Sequence, residues 1–391
     1  MLAKNTIGLA LPRREDPALL KGQGRYTADI ALARPLHLAF LRSPVATGRI
    51  AGIDIADALA APGVVAVFTG ADLPPNPSPD LAPVLEIDAP LPFPMLARDR
   101  IASVGEPLVA VLADSPAQAA DAVDLITLDI TESDMPAPVR VAHRAWHVGN
   151  PAAAFAKAAH VVTVETHHPR VAPSPMEPRG VAIRYDAATE GVTIFQSTQT
   201  PHRTKNDVTR ILQLDPNIVR VVAPDVGGGF GMKGFTYPEE VFAVWAALHL
   251  RRDVRWIASR SEEFLSAAHG RGLTSRGRLA LDAEGRFLAL EARIAAPLGG
   301  WVSGTGLMPA FNAARVLPSG YIIPALDIET EAYSHALPPV GIYRGAGRPE
   351  ANVIIERLID AAAAVTGIDP IALRKANLLP ASAMPHDTAT G

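Results

Sequence analysis

Between Ile218 and Leu248 the chain passes from a β-branched run, through a glycine-rich turn, into a helical pattern. Few architectures accept that order. Ile218, Val219, Val221 and Val222 predict a buried strand, which runs into Gly227-Gly228-Gly229-Phe230-Gly231-Met232-Lys233. Beyond Pro238, acids at Glu239 and Glu240 and apolar residues at Val241, Val244, Trp245 and Leu248 predict a helix. Strand, glycine turn and helix together aim backbone N–H groups at an oxyanion or phosphate, because glycine removes the Cβ that would block close approach.

A dinucleotide is the first anion to test. Gly229-Phe230-Gly231-Met232-Lys233-Gly234 matches G-x-G-x-x-G, and Asp253 follows at about the expected interval of roughly 20 residues. However, Asp253 precedes the next predicted strand, Val254–Ala258, whereas a ribose-binding acid ends one. The helix also opens after Pro238 and not at the third glycine. A P-loop fails because Met232 precedes Lys233 and Gly234 follows it. An NAD(P)-dependent Rossmann oxidoreductase stands as one alternative reading. A non-catalytic binding or assembly protein with an ordinary loop stands as another.

Two further segments bear on the choice. Pro338-Pro339-Val340-Gly341-Ile342-Tyr343-Arg344-Gly345-Ala346-Gly347-Arg348-Pro349-Glu350 is a second glycine-rich loop feeding a helix, and two donor loops suit an extended polyanion. Gln196-Ser197-Thr198-Gln199 ends a strand where an amide could donate to an oxo group. With no cysteine, the chain has no disulfide, zinc thiolate, iron–sulfur ligation or cysteine nucleophile, so any redox centre must be borrowed. A net charge of −4 without a basic run argues against nucleic acid and anionic membranes. A hydrophobic fraction of 48% fits a well-buried globular protein. No apolar stretch is long enough to span a bilayer, and Met1–Thr6 lacks a signal-peptide core, so a cytoplasmic location is expected.

At 391 residues two or three domains are expected, and the class reads as α+β. Strands are predicted at Leu36–Leu41, Gly63–Phe68, Leu108–Leu112 and Thr127–Ile130. A helix over Ser115–Ile126 opens on a capping box of Ser115, Pro116 and Gln118. Leu73–Pro94 reads as a long irregular connection. The first domain is placed at 1–131, a linker at 132–152 and a second domain at 153–391. In the second, strands are predicted at Val161–Glu165, Val181–Tyr185 and Val192–Gln196. Helices are predicted at Pro349–Val365, stopped by Gly367, and at Asp369–Leu379.

Taken in order, these motifs resemble the molybdopterin-binding large subunit of the xanthine dehydrogenase/aldehyde oxidase family, in the branch of carbon monoxide dehydrogenase large subunits. The matching segments are Arg13–Ile30, Val104-Gly105-Glu106-Pro107, Met176-Glu177-Pro178-Arg179-Gly180, Ser197-Thr198-Gln199, Gly227–Lys233, Tyr343–Arg348 and Leu373-Arg374-Lys375-Ala376-Asn377. The resemblance implies an α/β hammerhead domain followed by the first, incomplete part of a molybdopterin-binding domain. It places Gln199 at a molybdenum oxo ligand, Gly228, Gly229, Phe230 and Gly231 against the metal and pterin, and Arg344, Gly345 and Ala346 beside the metal. Molybdenum would be held through the pterin, in many members a cytosine dinucleotide, with no direct protein ligand. The implied reaction is oxidative hydroxylation of an aldehyde or N-heterocycle with water as oxygen source. Electrons would pass to an Fe–S small subunit and an FAD medium subunit.

Departures from the family narrow this. Copper-dependent carbon monoxide dehydrogenases carry a cysteine in a Tyr-Arg-Cys-Ser-Phe-Arg loop, where this chain has Gly345, so no thiolate holds copper. The glutamate that follows the loop lysine in xanthine-oxidising relatives is Gly234 here, which argues against xanthine. The family's large subunits are about twice as long, and their catalytic base, a glutamate, lies in the half not present. No catalytic residue is therefore expected in this chain. A C-terminal half, continuous or on a second polypeptide, is expected as a partner, and the chain alone is expected to be inactive.

Other conspicuous residues read as structural. His160, His167 and His168 lack metal-ligand spacing. Glu177 reads as a buried, hydrogen-bonded acid and Glu106 as a turn residue. Lys233 is left open between a phosphate contact and a solvated loop lysine. Phe242 and Trp245 read as the core face of their helix. Ser43 and Ser197 have no His–Asp partners at a recognisable spacing.

Overall fold

A computed structural model of the chain describes residues 7–74, 85–89, 93 and 95–391. Most of the predicted Leu73–Pro94 connection lies outside the described residues. The largest sheet has seven strands, in the order Val219–Val222, Gly191–Gln196, Gly180–Asp186, Val254–Ile257, Leu36–Arg42, Pro107–Ala113 and Val64–Thr69. Three of its strands precede residue 132 and four follow residue 153. The join is the parallel pairing of Leu36 with Val254. Strand Pro107–Ala113, between Leu36–Arg42 and Val64–Thr69, is buried at every position, which explains why it reads as an unbroken apolar run and not as an alternating one.

Helix Pro238–Leu250 covers this sheet. Phe242 is fully buried, with its ring centroid 5.7 Å from that of Phe40, and Trp245 packs on Phe68 at 5.0 Å. Both side chains are core, as expected. The helix begins at Pro238, where the Glu240 carboxylate caps the Tyr237 N–H at 3.0 Å, and ends at Arg251 in the left-handed region.

A second sheet has five strands, ordered Arg140–Val148, Ala325–Ser334, Phe287–Gly299, Thr274–Leu281 and His160–His167. Its inner face packs against the 19-residue helix Arg348–Thr366, which buries Ile354, Ile355, Leu358, Ile359 and Ala362 and stops at Gly367 with φ +72°. Arg140–Val148 falls inside the stretch read as linker, which is corrected here to a strand. Arg140, His143, Arg144 and His147 interrupt its apolar residues without a period of two, which hides the strand pattern. A three-stranded sheet of Arg100–Ile101, Gly48–Asp54 and Thr127–Glu132 completes the first segment. Helix Pro116–Val123 is capped by Ser115, which accepts from the Gln118 N–H at 3.3 Å, and is shorter than predicted at its C-terminal end. No described helix is long and apolar enough to cross a membrane.

Arg179, 1% exposed, ties the helices to the first sheet. It donates to Glu263 at 3.1 Å, Glu239 at 3.2 Å and Ser266 at 2.6 Å, and its guanidinium carbon lies 4.0 Å from the Tyr237 ring centroid. Arg42, from the first segment, reaches the same Glu239 at 2.8 Å and Glu262 at 2.5 Å. Burial opposes ionisation of Glu239, but Arg179 and Arg42 outweigh it and hold its carboxyl below the ordinary value. At neighbouring Glu240 burial outweighs the Tyr237 N–H and the charge of Arg179, and pushes the carboxyl up to about 8.

Two outcomes follow. Arg179→Met should lower unfolding free energy by about 3–5 kcal/mol, measured by denaturant titration, because it leaves buried Glu263 without its cation and Glu239 with Arg42 alone. Glu240 binds its proton more tightly folded than unfolded, so its contribution is complete below its unfolded value near 4.5 and is lost as pH rises through about 8. Glu240→Gln should therefore flatten the decline in thermal midpoint across that window.

Candidate functional site

The Gly227–Lys233 loop leaves the edge of the seven-stranded sheet and is anchored by a carboxylate beneath it. One Glu177 oxygen, Oε2, accepts from the Gly227 N–H at 2.8 Å and from the Ser197 hydroxyl at 2.6 Å, while Oε1 accepts from the Thr27 N–H at 3.2 Å. Lys233 is 2% exposed. Its ammonium donates to the Glu177 carbonyl and the Ser197 hydroxyl, both at 2.7 Å, and lies 3.4 Å from Glu177 Oε2. Burial lowers the Lys233 pKa and Glu177 opposes that shift. Both readings left open for Lys233 are thus corrected: it is a buried strut under the loop, neither solvated nor turned towards a ligand. Glu177 is the hydrogen-bonded acid expected.

Gln199 reaches over the loop from the end of strand Gly191–Gln196. Its Oε1 accepts from the Gly231 N–H at 2.7 Å, and a Cβ on Gly229 would lie 2.7 Å from the Gln199 amide carbon, so a side chain there would push Gln199 from this position. Because a backbone N–H can only donate, the Gln199 oxygen must face Gly231, which leaves its NH₂ to donate outward. Gly231 has φ +95°, and a Cβ would lie 2.4 Å from an Ile342 methyl, so the second loop presses directly on the first. Phe230 carries φ +54°, rare for an aromatic residue, and leaves its ring 41% exposed.

The two loops are joined by the Arg344 N–H donating to the Phe230 carbonyl at 2.9 Å. Of the predicted site residues, the structure thus brings together Gln199 with Gly229 and Gly231, and Phe230 with Arg344. Gly345 and Ala346 follow at φ +104° and +46°. Ala346 is buried, its N–H donating to the Tyr343 carbonyl at 2.8 Å and its carbonyl accepting from Asn312 at 2.9 Å. Among the described residues, the N–H groups of Gly228, Gly229, Phe230 and Gly345 find no protein acceptor. Orphan backbone donors on left-handed and glycine-rich turns are what an anion needs.

Several supports were missed in the sequence. Ser303 donates to the Val340 carbonyl at 2.7 Å, and Arg170 holds the Pro338 carbonyl at 2.5 Å and that of Pro297 at 2.7 Å. The glycines at 299, 300, 304 and 306 were the available signal for the Ser303 turn. Arg170, on a two-residue strand, offers none.

The remaining expectations resolve simply. Asp253 accepts on its carboxylate from the N–H groups of Tyr185 at 2.9 Å and Ala33 at 3.0 Å, so it ties neighbouring strand ends together, and the dinucleotide reading falls with it. Glu106 is corrected from a plain turn residue to a buried acid: it accepts from the Ala102 N–H at 2.7 Å, and burial raises it to about 7. Ser43 donates to the Val45 carbonyl and Ser197 to Glu177, which uses up both hydroxyl protons. His160, His167 and His168 form no metal-ligand group. The one such grouping among the described residues, His147, Asp327 and Glu329, already has the Arg293 guanidinium 2.6 Å from Asp327.

Family models match along most of the chain. Residues 134–378 match the molybdopterin cofactor-binding domain, and residues 21–134 the aldehyde oxidase and xanthine dehydrogenase a/b hammerhead domain. The chain belongs to this molybdopterin-binding family. It is 34% identical to the nicotine 6-hydroxylase large subunit of Paenarthrobacter nicotinovorans over 97% of this chain and 49% of that protein. It is 30% identical to the carbon monoxide dehydrogenase large chain of Hydrogenophaga pseudoflava over 97% of this chain and 51% of that one. Quinoline 2-oxidoreductase from Pseudomonas putida 86 superposes with a TM-score of 0.94 at 34% identity, covering 99% of this chain and 52% of that structure. The chain therefore spans about half the length of the curated relatives it matches.

Gly231→Ala should cost about 1–3 kcal/mol, from the positive φ and the Ile342 contact together. The check is the unfolding midpoint, with Gly320→Ala, where a Cβ meets nothing within 4 Å, as the near-neutral control.

Proposed function

We propose that this chain forms one wall of the active site of a molybdenum hydroxylase, whose complete enzyme hydroxylates an N-heterocycle or an aldehyde with oxygen from water. The observation that carries the reading is the pair of locked loops with unclaimed backbone donors at Gly228, Gly229, Phe230 and Gly345. These fit a phosphate-bearing pterin, in its cytosine dinucleotide form, better than a single small anion, because the donors are spread over two loops, with Lys233 turned away from them. The bound molybdopterin would supply the two-electron redox centre that a chain without cysteine or flavin lacks.

This chain's own residues would orient and exclude. Gln199, with its oxygen committed to Gly231, presents a fixed amide donor towards an oxo group. Phe230 offers an exposed ring that desolvates the space beside it. At the other loop Gly345 presents its N–H, held in place by Arg344 and Ala346, whose own backbone groups are bonded within the chain. The base that would take the proton from water, a glutamate, is assigned to the C-terminal half of the subunit, and electron transfer to Fe–S and FAD subunits. Gly345 supports a reaction without copper. The names of the nicotine and quinoline relatives favour an aromatic N-heterocycle over carbon monoxide.

The test is co-expression of the complete complex. Molybdenum and pterin should co-purify near one per large subunit, and label from ¹⁸O water should appear in a hydroxylated pyridine or quinoline. A complex assembled with all subunits but free of molybdenum would overturn the reading. Gln199→Ala should keep the pterin and lower kcat by about 10²-fold, the usual effect of removing one preorganised donor.

A further inference from the structure

Beneath the Tyr343–Gly347 loop sits a carboxylate with no hydrogen bond. Glu350 is 0% exposed, and neither of its oxygens has a partner. The nearest cation is Arg271, whose Nη1 lies 3.6 Å from Glu350 Oε1 and whose side chain is 18% exposed. An unbonded buried carboxylate is costly to keep. Its place in the first turn of helix Arg348–Thr366 recovers part of that through the helix dipole. The rest must come from charge, and Arg271 is the group that faces it. His168 also feels this carboxylate, but burial disfavours its charged form.

Arg271 stands at ion-pair distance from the carboxylate and turns two of its five N–H groups to the loop instead. Nη1 donates to the Tyr343 carbonyl at 3.3 Å and Nη2 to the Arg344 carbonyl at 3.0 Å, and its guanidinium carbon lies 4.9 Å from the Tyr343 ring centroid. In a trans peptide the C=O and N–H point to opposite sides. Drawing the Tyr343 carbonyl inward therefore turns the Arg344 N–H outward, where it meets the Phe230 carbonyl at 2.9 Å. Drawing the Arg344 carbonyl inward turns the Gly345 N–H to the same outer side, where it has no protein acceptor among the described residues.

We infer that Arg271, held by the buried charge of Glu350, is a positioning residue that sets the Arg344–Gly345 peptide so that its N–H serves the cofactor wall. The inference rests on the reading of that wall given above. Lysine at 271 would keep the charge for Glu350 but lacks the planar fork that grips two carbonyls.

The experiment measures released pterin and thermal midpoint in the complete co-expressed complex, for the wild type, Arg271→Lys and the double variant Arg271→Met/Glu350→Leu. In Arg271→Lys, pterin retention through gel filtration should fall about tenfold, the scale for losing a group that orients a ligand contact, while the thermal midpoint stays near wild type. In the double variant, removal of both charges should leave the midpoint near or above wild type, and pterin should still be lost. Wild type without pterin would overturn the site reading itself. Wild type with pterin, and Arg271→Lys retaining it equally, would overturn this inference alone. So would a double variant that keeps its pterin, since the pair would then act only on stability. Should Arg271→Lys fail to fold, the double variant decides.

Discussion

The Glu177 carboxylate is the point on which the site hangs. It is only 14% exposed, and it joins the N-terminal arm at Thr27, the strand end at Ser197, the glycine loop at Gly227 and the buried Lys233 ammonium. A carboxylate satisfied in this way is stable in a partly dry environment, whereas any one partner left alone would be an uncompensated buried polar group. The loop can therefore hold Phe230 and Gly231 at positive φ without collapsing, since the strain is spread over a node that fixes both ends.

Rigidity at that node depends on how the chain is tied together. The first segment contributes three strands to the seven-stranded sheet, and Arg42 shares Glu239 with Arg179 of the second. Two residues after Glu177, Arg179 thus clamps the helix N-termini while Glu177 clamps the glycine loop. The short Met-Glu-Pro-Arg run serves both ends of one strand–loop–helix unit.

Much of this was legible along the chain. The strands named in the first segment followed from apolar period, and helix Arg348–Thr366 was announced by Pro349 and Gly367, whereas the strands Thr274–Leu281, Phe287–Gly299 and Ala325–Ser334 were not read from the chain. The glycine loops and Gln199 were visible because anion cradles need particular residue types at close spacing. Arg140–Val148 was not legible, because a partly solvated edge strand whose Arg and His residues fall without a period of two looks like a loop. Lys233 was not legible either: a lysine beside glycines gives no sign of being buried until Ser197 and Glu177 are seen to surround it.

The sequence by itself determined the family, the two donor loops and the absence of a resident redox ligand, since these rest on residue identity and local spacing. Only the tertiary structure decided which groups act together. Glu177 lies 50 residues from Gly227, Gln199 lies 32 from Gly231, and Arg271 lies 73 from Arg344. No local pattern encodes contacts at such separations. They arise when burying two sheets and their helices brings distant polar groups into one volume, where each must be satisfied by what the fold has placed beside it.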